Sequence, residues 1–206
     1  MLKRSLLLLG FSLVLAGVIH AGVGEEKRGA GAKEQPKYNN STYVPTADEV
    51  IAKMFELAKV NKDDVIFDLG CGDNRILYQA ASKFGCRGVG LDLNPDRIRE
   101  AMDQYVKRGG IEKLGTRVEV RHGDALKVKD IGDATVVVMY MFPEFMDLWF
   151  PIAKEKLKPG TRILSHDYSW TNGWEPAQST TVRSSTRDNH RVIMWVVPER
   201  GKDGSK

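Results

Sequence analysis

The stretch Val65-Ile66-Phe67-Asp68-Leu69-Gly70-Cys71-Gly72-Asp73-Asn74-Arg75 leaves this chain very few folds to choose from. A short apolar run breaks into a glycine-containing turn, and a helix-like segment follows. Twenty positions beyond Gly72, a second apolar run, Gly88-Val89-Gly90-Leu91, ends in Asp92. A glycine turn after one strand and an acid at the tip of the next is how open α/β sheets hold a nucleoside. Gly70 and Gly72 can take positive φ and let a ligand come close to the backbone. Asp92 can accept hydrogen bonds from two ribose hydroxyls.

The rest of the pattern alternates strands with helices. Thr46-Ala47-Asp48-Glu49 reads as a capping box opening a helix with Val50, Met54, Leu57 and Ala58 on one face. Strands are expected at Val65–Asp68, Gly88–Asp92, Arg117–Arg121, Ala134–Tyr140 and Thr161–His166. Helices are expected at Arg75–Phe84, from Asn94-Pro95 to about Gly109-Gly110, and at Glu144–Leu157. Thr180–Ser185 and Arg191–Val197 flank a polar turn and read as a terminal hairpin. The expected fold is α/β: a Rossmann-like, doubly wound, seven-stranded sheet, mostly parallel, closed by an antiparallel C-terminal hairpin.

A dinucleotide fingerprint would need a third glycine where Arg75 stands, and no phosphate P-loop run occurs. What remains is D-L-G-C-G-D-N followed by G-L-D-L-N-P, which resembles the S-adenosylmethionine (SAM) loop of class I methyltransferases. Asn74 replaces the last glycine of the usual loop, and Asn tolerates the left-handed region. Gly123-Asp124-Ala125 and Met141-Phe142-Pro143-Glu144 follow the third and fourth apolar runs, where the superfamily places its adenine and acceptor contacts. Tyr43-Val44-Pro45-Thr46, D-L-G-C-G-D-N-R and K-P-G-T-R-I-L-S-H-D resemble a bacterial group of these enzymes. That group is similar to the mitochondrial lysine methyltransferases acting on ATP synthase subunit c and the adenine nucleotide translocase. The resemblance implies SAM as cofactor and a protein lysine as acceptor. A small-molecule methyltransferase and a non-catalytic SAM-fold binding module of the cell envelope remain as alternatives.

The resemblance also implies roles for individual residues. Asp68, Gly70, Gly72, Asn74, Asp92 and Asp124 are the expected cofactor contacts. Phe142, Pro143 and Glu144 are expected to meet the acceptor. Tyr43 is expected to close over the methionine, Tyr140 to line the acceptor channel, and His166 to act as base, its unperturbed pKa lying near neutrality. Trp170 and Trp174 are further candidates for the acceptor mouth, and His122 for support of the adenine loop. The four histidines and two cysteines show no metal-ligand spacing, so no metal is expected.

Of the 206 residues, 1–21 read as a signal peptide or N-terminal anchor. Lys3-Arg4 precedes an apolar run from Ser5 to Ile19, and Ala21 ends a cleavage-like triplet. Residues 22–41 read as a flexible linker, 42–198 as the catalytic domain and 199–206 as a disordered tail. Asn39 and Asn40 head glycosylation sequons, best explained as polar turn residues. The leader argues for export or membrane association. Against it, SAM is made in the cytoplasm, and two free thiols, expected because Cys71 and Cys86 lie at opposite sheet edges, suit a reducing compartment. The net charge of +4, about +2 without the leader, argues against nucleic acid. A monomer is expected.

Overall fold

The computed structural model describes residues 43–110 and 115–199. The leader, the linker, both sequons and residues 200–206 of the tail lie outside the described residues. The sheet has seven strands: β1 (Val65–Leu69), β2 (Arg87–Asp92), β3 (Val118–His122), β4 (Val136–Met139), β5 (Arg162–His166), β6 (Gln178–Val182) and β7 (His190–Val196). Their order is β3-β2-β1-β4-β5-β7-β6. The first five run parallel, β7 is antiparallel to β5, and β6 is antiparallel to β7. The strand order reverses between β1 and β4, which is where open α/β sheets leave a crevice at their carboxyl ends.

Period-two alternation divides the core into two layers. Ile66, Val136, Val138, Leu164, Val192 and Met194 face α1 (Asp48–Ala58) and α2 (Arg75–Phe84). Phe67, Leu69, Val137, Met139, Ile163 and Trp195 face α4 (Pro143–Lys156) through Phe145, Met146, Trp149 and Ala153. Between α2 and β3, α3 (Pro95–Lys107) packs Tyr105 against Tyr78. At the opposite end from the crevice, Asp64, Thr135 and Arg162 clip the starts of β1, β4 and β5 together. Thr135 donates to Asp64 at 2.6 Å, accepts from the Val65 amide at 2.9 Å, and leaves Arg162 to pair with Asp64. This clip explains why β4 starts at Val136 rather than at Ala134.

Two expected local features differ. The capping box is absent: Ala47 occupies the N-cap of α1 with no side-chain cap, while the Thr46 hydroxyl lies 3.2 Å from His166 Nδ1. The hairpin is shifted, β6 ending at Val182 rather than Ser185. Ser184 is drawn into the turn, where its backbone N–H donates to the Arg187 carbonyl at 2.8 Å. Cys71 and Cys86 are both buried free thiols.

Asn74 sits in the left-handed region, φ 63°, and its side chain is fully buried. It fits because β2 carries Gly90 beneath it. A Cβ at Gly90 would lie 2.5 Å from Asn74 Oδ1 and 2.8 Å from Cys71 Sγ. Gly90→Ala therefore forces the turn upward and is expected to destabilise the protein by about 1–3 kcal/mol, an overpacking cost, read as a lowered melting temperature.

Candidate functional site

Strand register assembles the site. Leu69 pairs with Leu91 and with Met139, so the turn after β1, the tip of β2 and the segment after β4 end side by side. Asp92 pairs with His122, placing Asp124 next to it, and Met139 pairs with Ser165, placing Tyr140 beside His166. The resulting cavity of about 460 Å³ is bounded by Asp68, Gly70, Asp92, Asp124, Tyr43, Tyr140, Phe142 and Glu144 among others. That volume suits a cofactor-sized ligand.

One end of the cavity is polar. Asp92 accepts from the Gly72 amide through Oδ2 and from the Asn94 amide through Oδ1, both at 2.9 Å. A carboxylate has about four acceptor sites, so it can still receive two hydroxyls. Asp124 caps a short 3-10 turn by accepting from the Leu126 amide at 2.9 Å. Asp68 is buried, and its Oδ2 has no hydrogen-bond partner. Burial, and then the charges of Asp92 and Asp73, push its pKa up to about 8. An orphan carboxylate oxygen on a cavity wall is a place for a cationic ligand group.

Tyr43 closes this end. Its ring lies flat enough on Gly72 that a Cβ there would overlap it, with Cζ at 2.8 Å. Its hydroxyl accepts from the Asp73 amide at 3.4 Å, and the Arg97 guanidinium stacks 4.5 Å from its ring centroid. Gly72 and Asn74 are consequently not on the cavity wall, contrary to expectation. Gly72 serves through its amide and by making room for Tyr43, and Asn74 points into the core over Gly90. The Cys71 thiol is on the wall, but burial raises its pKa well above the ordinary value, so it is no thiolate nucleophile.

The other end is aromatic. Tyr140, Phe142 and Tyr168 cluster at the mouth, with Tyr168 5.9 Å from Tyr140 and 5.2 Å from Phe142 between ring centroids. Phe142 is 50% exposed, and Val44 and Leu148 are exposed wall residues beside it. Glu144 stands exposed in the first turn of α4, where the helix dipole favours a carboxylate. Pro143 is the first helical residue and does not reach the cavity, so its expected acceptor role is corrected to a helix-starting one.

His166 is corrected as well. It is 1% exposed and lies behind Tyr140 rather than on the wall, ring centroids 3.9 Å apart. Its nitrogens are engaged by Thr46 and, at 2.8 Å, by His190 Nδ1. Burial, aided by His190 and Arg187 against the opposing Asp167, lowers its pKa to about 4. A base that cannot touch substrate and resists protonation is not the catalytic one. Trp170 and Trp174 are not at the mouth either: they stack with Trp149 and Trp195 in an indole cluster of the core. His122 Nε2 lies 3.0 Å from the Leu93 carbonyl, joining the end of β3 to the turn after β2.

Sequence reasoning missed Tyr168 and Arg97. Tyr168 follows Asp167, whose φ of 65° turns the chain back toward the cavity, a bend with no glycine to announce it. Arg97 sits one turn into α3, and only the position of Tyr43 gives it a role. Of the cluster of His166, Asp167 and His190, whose ligand-capable atoms come within 4.8 Å of one another, the adjacent His166 and Asp167 are legible in the sequence as a polar pair and His190 is not. The Arg187 guanidinium stands there, 2.6 Å from Asp167 Oδ2 and 3.0 Å from His190 Nδ1. It already supplies the positive charge.

Comparison with known proteins agrees with this arrangement. The family model of the ANTKMT methyltransferase domain matches residues 68–178. A protein-lysine N-methyltransferase of Saccharolobus islandicus is 39% identical over 158 residues, 76% of this chain and 94% of that protein. A probable cobalt-precorrin-6B C(15)-methyltransferase of Methanothermobacter thermautotrophicus is 35% identical over 130 residues, 61% of this chain and 64% of that one. Among solved structures, an RNA methyltransferase of Salinibacter ruber in complex with S-adenosyl-L-homocysteine superposes with a TM-score of 0.68. It is 36% identical and covers 79% of this chain and 100% of that one. With the nucleoside-type crevice at the sheet's reversal point, these matches establish that the chain belongs to the ANTKMT methyltransferase family and is a SAM-dependent methyltransferase of the class I, Rossmann-like kind.

Proposed function

We propose that this protein transfers a methyl group from SAM to the ε-amine of a lysine in a protein. The observation that carries the reading is the pairing of two ends in one cavity: a buried, unpartnered Asp68 oxygen beside Asp92, and an aromatic mouth opposite. The residues fit the cofactor. Asp92 would receive the ribose hydroxyls, Asp68 the methionine ammonium and Asp124 the adenine amino group, while Gly70 lets the ligand approach the backbone. When bound, SAM supplies a sulfonium methyl already activated for displacement, so the protein has mainly to align the acceptor and exclude water.

The acceptor half asks for a neutral amine. Neither Tyr140 nor His166 is a suitable base at the aromatic end. Burial and then the charge of Asp167 raise the Tyr140 phenol to about 12, and it donates its proton to Asp167 at 3.1 Å. His166 is out of reach. Glu144 is placed to attract an incoming ammonium, and the apolar walls of Phe142, Tyr168 and Leu148 then disfavour its charge, so its proton leaves to solvent. The lysine assignment is supported by the Saccharolobus relative. The Salinibacter relative favours RNA instead, but the two wall arginines are already committed: Arg75 pairs with Asp73 at 2.8 Å, and Arg97 lies on Tyr43 and pairs with Glu100. The rim that remains is apolar and acidic, unlike a phosphate-binding surface.

Localisation is part of the same proposal. Lys3-Arg4 and the apolar run to Ile19 support export or anchoring of the enzyme at a membrane, as a monomer acting on envelope proteins. Radiolabelled SAM mixed with the enzyme and a fractionated cell extract is expected to label envelope protein at lysine. Label confined to RNA or to extractable metabolites would defeat the lysine reading.

Cofactor binding carries a pH signature. At pH 7 the free Asp68 carboxyl, with its pKa pushed to about 8, is mostly protonated. Pairing with an ammonium favours the ionised form, so binding should release about one proton and tighten as pH rises from 6 toward 8, then level off. Calorimetry in buffers of different ionisation enthalpy checks this. Asp68→Asn should abolish the proton release, and Asp92→Ala should abolish measurable SAM binding with the far-ultraviolet circular dichroism retained.

A further inference from the structure

Tyr140 is held in the cavity wall by groups that never reach the cavity. Its ring rests against His166, and its hydroxyl donates to Asp167 Oδ2 at 3.1 Å. Asp167 is itself held on three sides. Its oxygens accept from the Arg187 guanidinium at 2.7 and 2.6 Å, and Oδ1 accepts from the Arg191 amide at 2.9 Å. Its φ of 65° is a conformation that a non-glycine residue adopts only where its surroundings insist on it. Burial opposes ionisation of this carboxyl, but the hydrogen bonds from Arg187 and Arg191 hold its pKa below the usual carboxylate range.

These contacts decide what Tyr140 can offer an acceptor. A phenol has one proton. Given to Asp167, it leaves the oxygen only lone pairs, so toward anything else Tyr140 is an acceptor. An amine attacks a sulfonium methyl along its own lone pair and must turn its N–H bonds elsewhere, and a fixed acceptor on the wall selects that orientation. We propose that Asp167 is a positioning residue for methyl transfer: by taking the Tyr140 proton it fixes the ring in the wall and makes the phenol oxygen a hydrogen-bond acceptor for the incoming amine, with Arg187 of the β6–β7 turn holding Asp167 in place. In the step itself the amine nitrogen forms the new C–N bond, the C–S bond breaks, and its electron pair goes to sulfur. The amine's surplus proton goes to solvent and not to Asp167, which the Arg187 ion pair keeps ionised. The proposal rests on the methyltransferase reading of the cavity. The same three residues, His166, Asp167 and His190, do not need a metal to account for them, since Arg187 supplies the cation.

Two measurements test it, the first independent of turnover. Carbon-13 NMR of ring-labelled tyrosines, with Tyr140→Phe for assignment, should show the Tyr140 phenol titrating near 12 in the wild type. In Asp167→Ala it should fall by the part that Asp167 contributes, burial remaining, with a faster ring flip. An unchanged Tyr140 resonance overturns the proposal even if no acceptor is found. The second uses methyl transfer from labelled SAM to an envelope-protein extract. Asp167→Ala should lower kcat roughly ten- to a hundredfold with SAM affinity unchanged within about twofold. Asp167→Asn, which keeps an acceptor oxygen, should recover much of the loss. In the Tyr140→Phe background, Asp167→Ala should cost nothing further, because the bond it serves is already gone. Fully additive losses, a loss of SAM affinity equal to the loss of rate, or activity that depends on added zinc would each overturn it. A wild type that labels no protein while Tyr140 titrates as expected would instead indict the lysine reading.

Discussion

The Asp92 carboxylate joins two turns that are twenty residues apart in the chain. It accepts from the Gly72 amide after β1 and from the Asn94 amide after β2. Without that bridge the two turns would be joined only through backbone bonds to the Leu91 carbonyl, and the ribose contact would be less tightly fixed. With it, the glycine turn and the acid form one rigid edge before any ligand arrives. The same carboxylate that is expected to hold ribose is therefore also what shapes the pocket to receive it. The neighbouring strands reinforce this edge: the Gly70 and Cys71 amides both donate to the Leu91 carbonyl, and Gly123 donates to the Asp92 carbonyl.

A second consequence is electrostatic. Burial of Asp68, and then the charges of Asp92 and Asp73 nearby, make its ionisation unfavourable in the empty protein. That disadvantage is relieved only by a cation inside the cavity. The site is thus poised against its own charge and selective for a ligand that carries both hydroxyls and an ammonium. At the far end the opposite principle operates. For the proposed lysine acceptor, Glu144 at the rim would attract the ammonium and the aromatic walls beyond it would favour the neutral, nucleophilic form. On the proposed reading, one cavity would treat two ammonium groups oppositely, stabilising the one that must stay charged and discouraging the one that must not.

How much of this was legible in the sequence depended on how far apart the interacting residues lie. The β1 turn, the acid at the tip of β2 and the alternation of strands and helices are local patterns, and they gave the fold, the cavity's location and Asp68, Gly70, Asp92 and Asp124 on its wall. Asn74 was read as a pocket residue because its position in the motif is next to the ligand. Its burial depends on Gly90, sixteen residues on and on another strand. Thr46 was read as a helix cap because a capping box is a local signal. Its actual partner, His166, is 120 positions away. His166 looked like a base because its unperturbed pKa suits one, yet burial behind Tyr140 changes that pKa and removes it from the substrate. Tyr168 carried no motif at all, since the left-handed Asp167 that turns it inward is held by Arg187, from a hairpin whose register no local pattern fixes.

That hairpin gives the C-terminal strands a part in the chemistry that a simple sheet closure would not have. Asp167 leaves β5 at its carboxyl end and is pinned by the β6–β7 turn, while His190, the first residue of β7, meets His166 and, through it, Thr46 of the N-terminal segment. Tyr43, three residues before Thr46, covers the glycine turn. The segment that carries Tyr43 and the residues that hold Tyr140 are therefore joined through Thr46, His166 and His190, with the exposed Arg187 linking His190 to Asp167. The Arg187–Asp167 end of this link is a partly exposed ion pair open to screening by salt, whereas the His166 end is buried and would break on protonation of that imidazole. The lowered pKa of His166, about 4, sets it to fail only in acid.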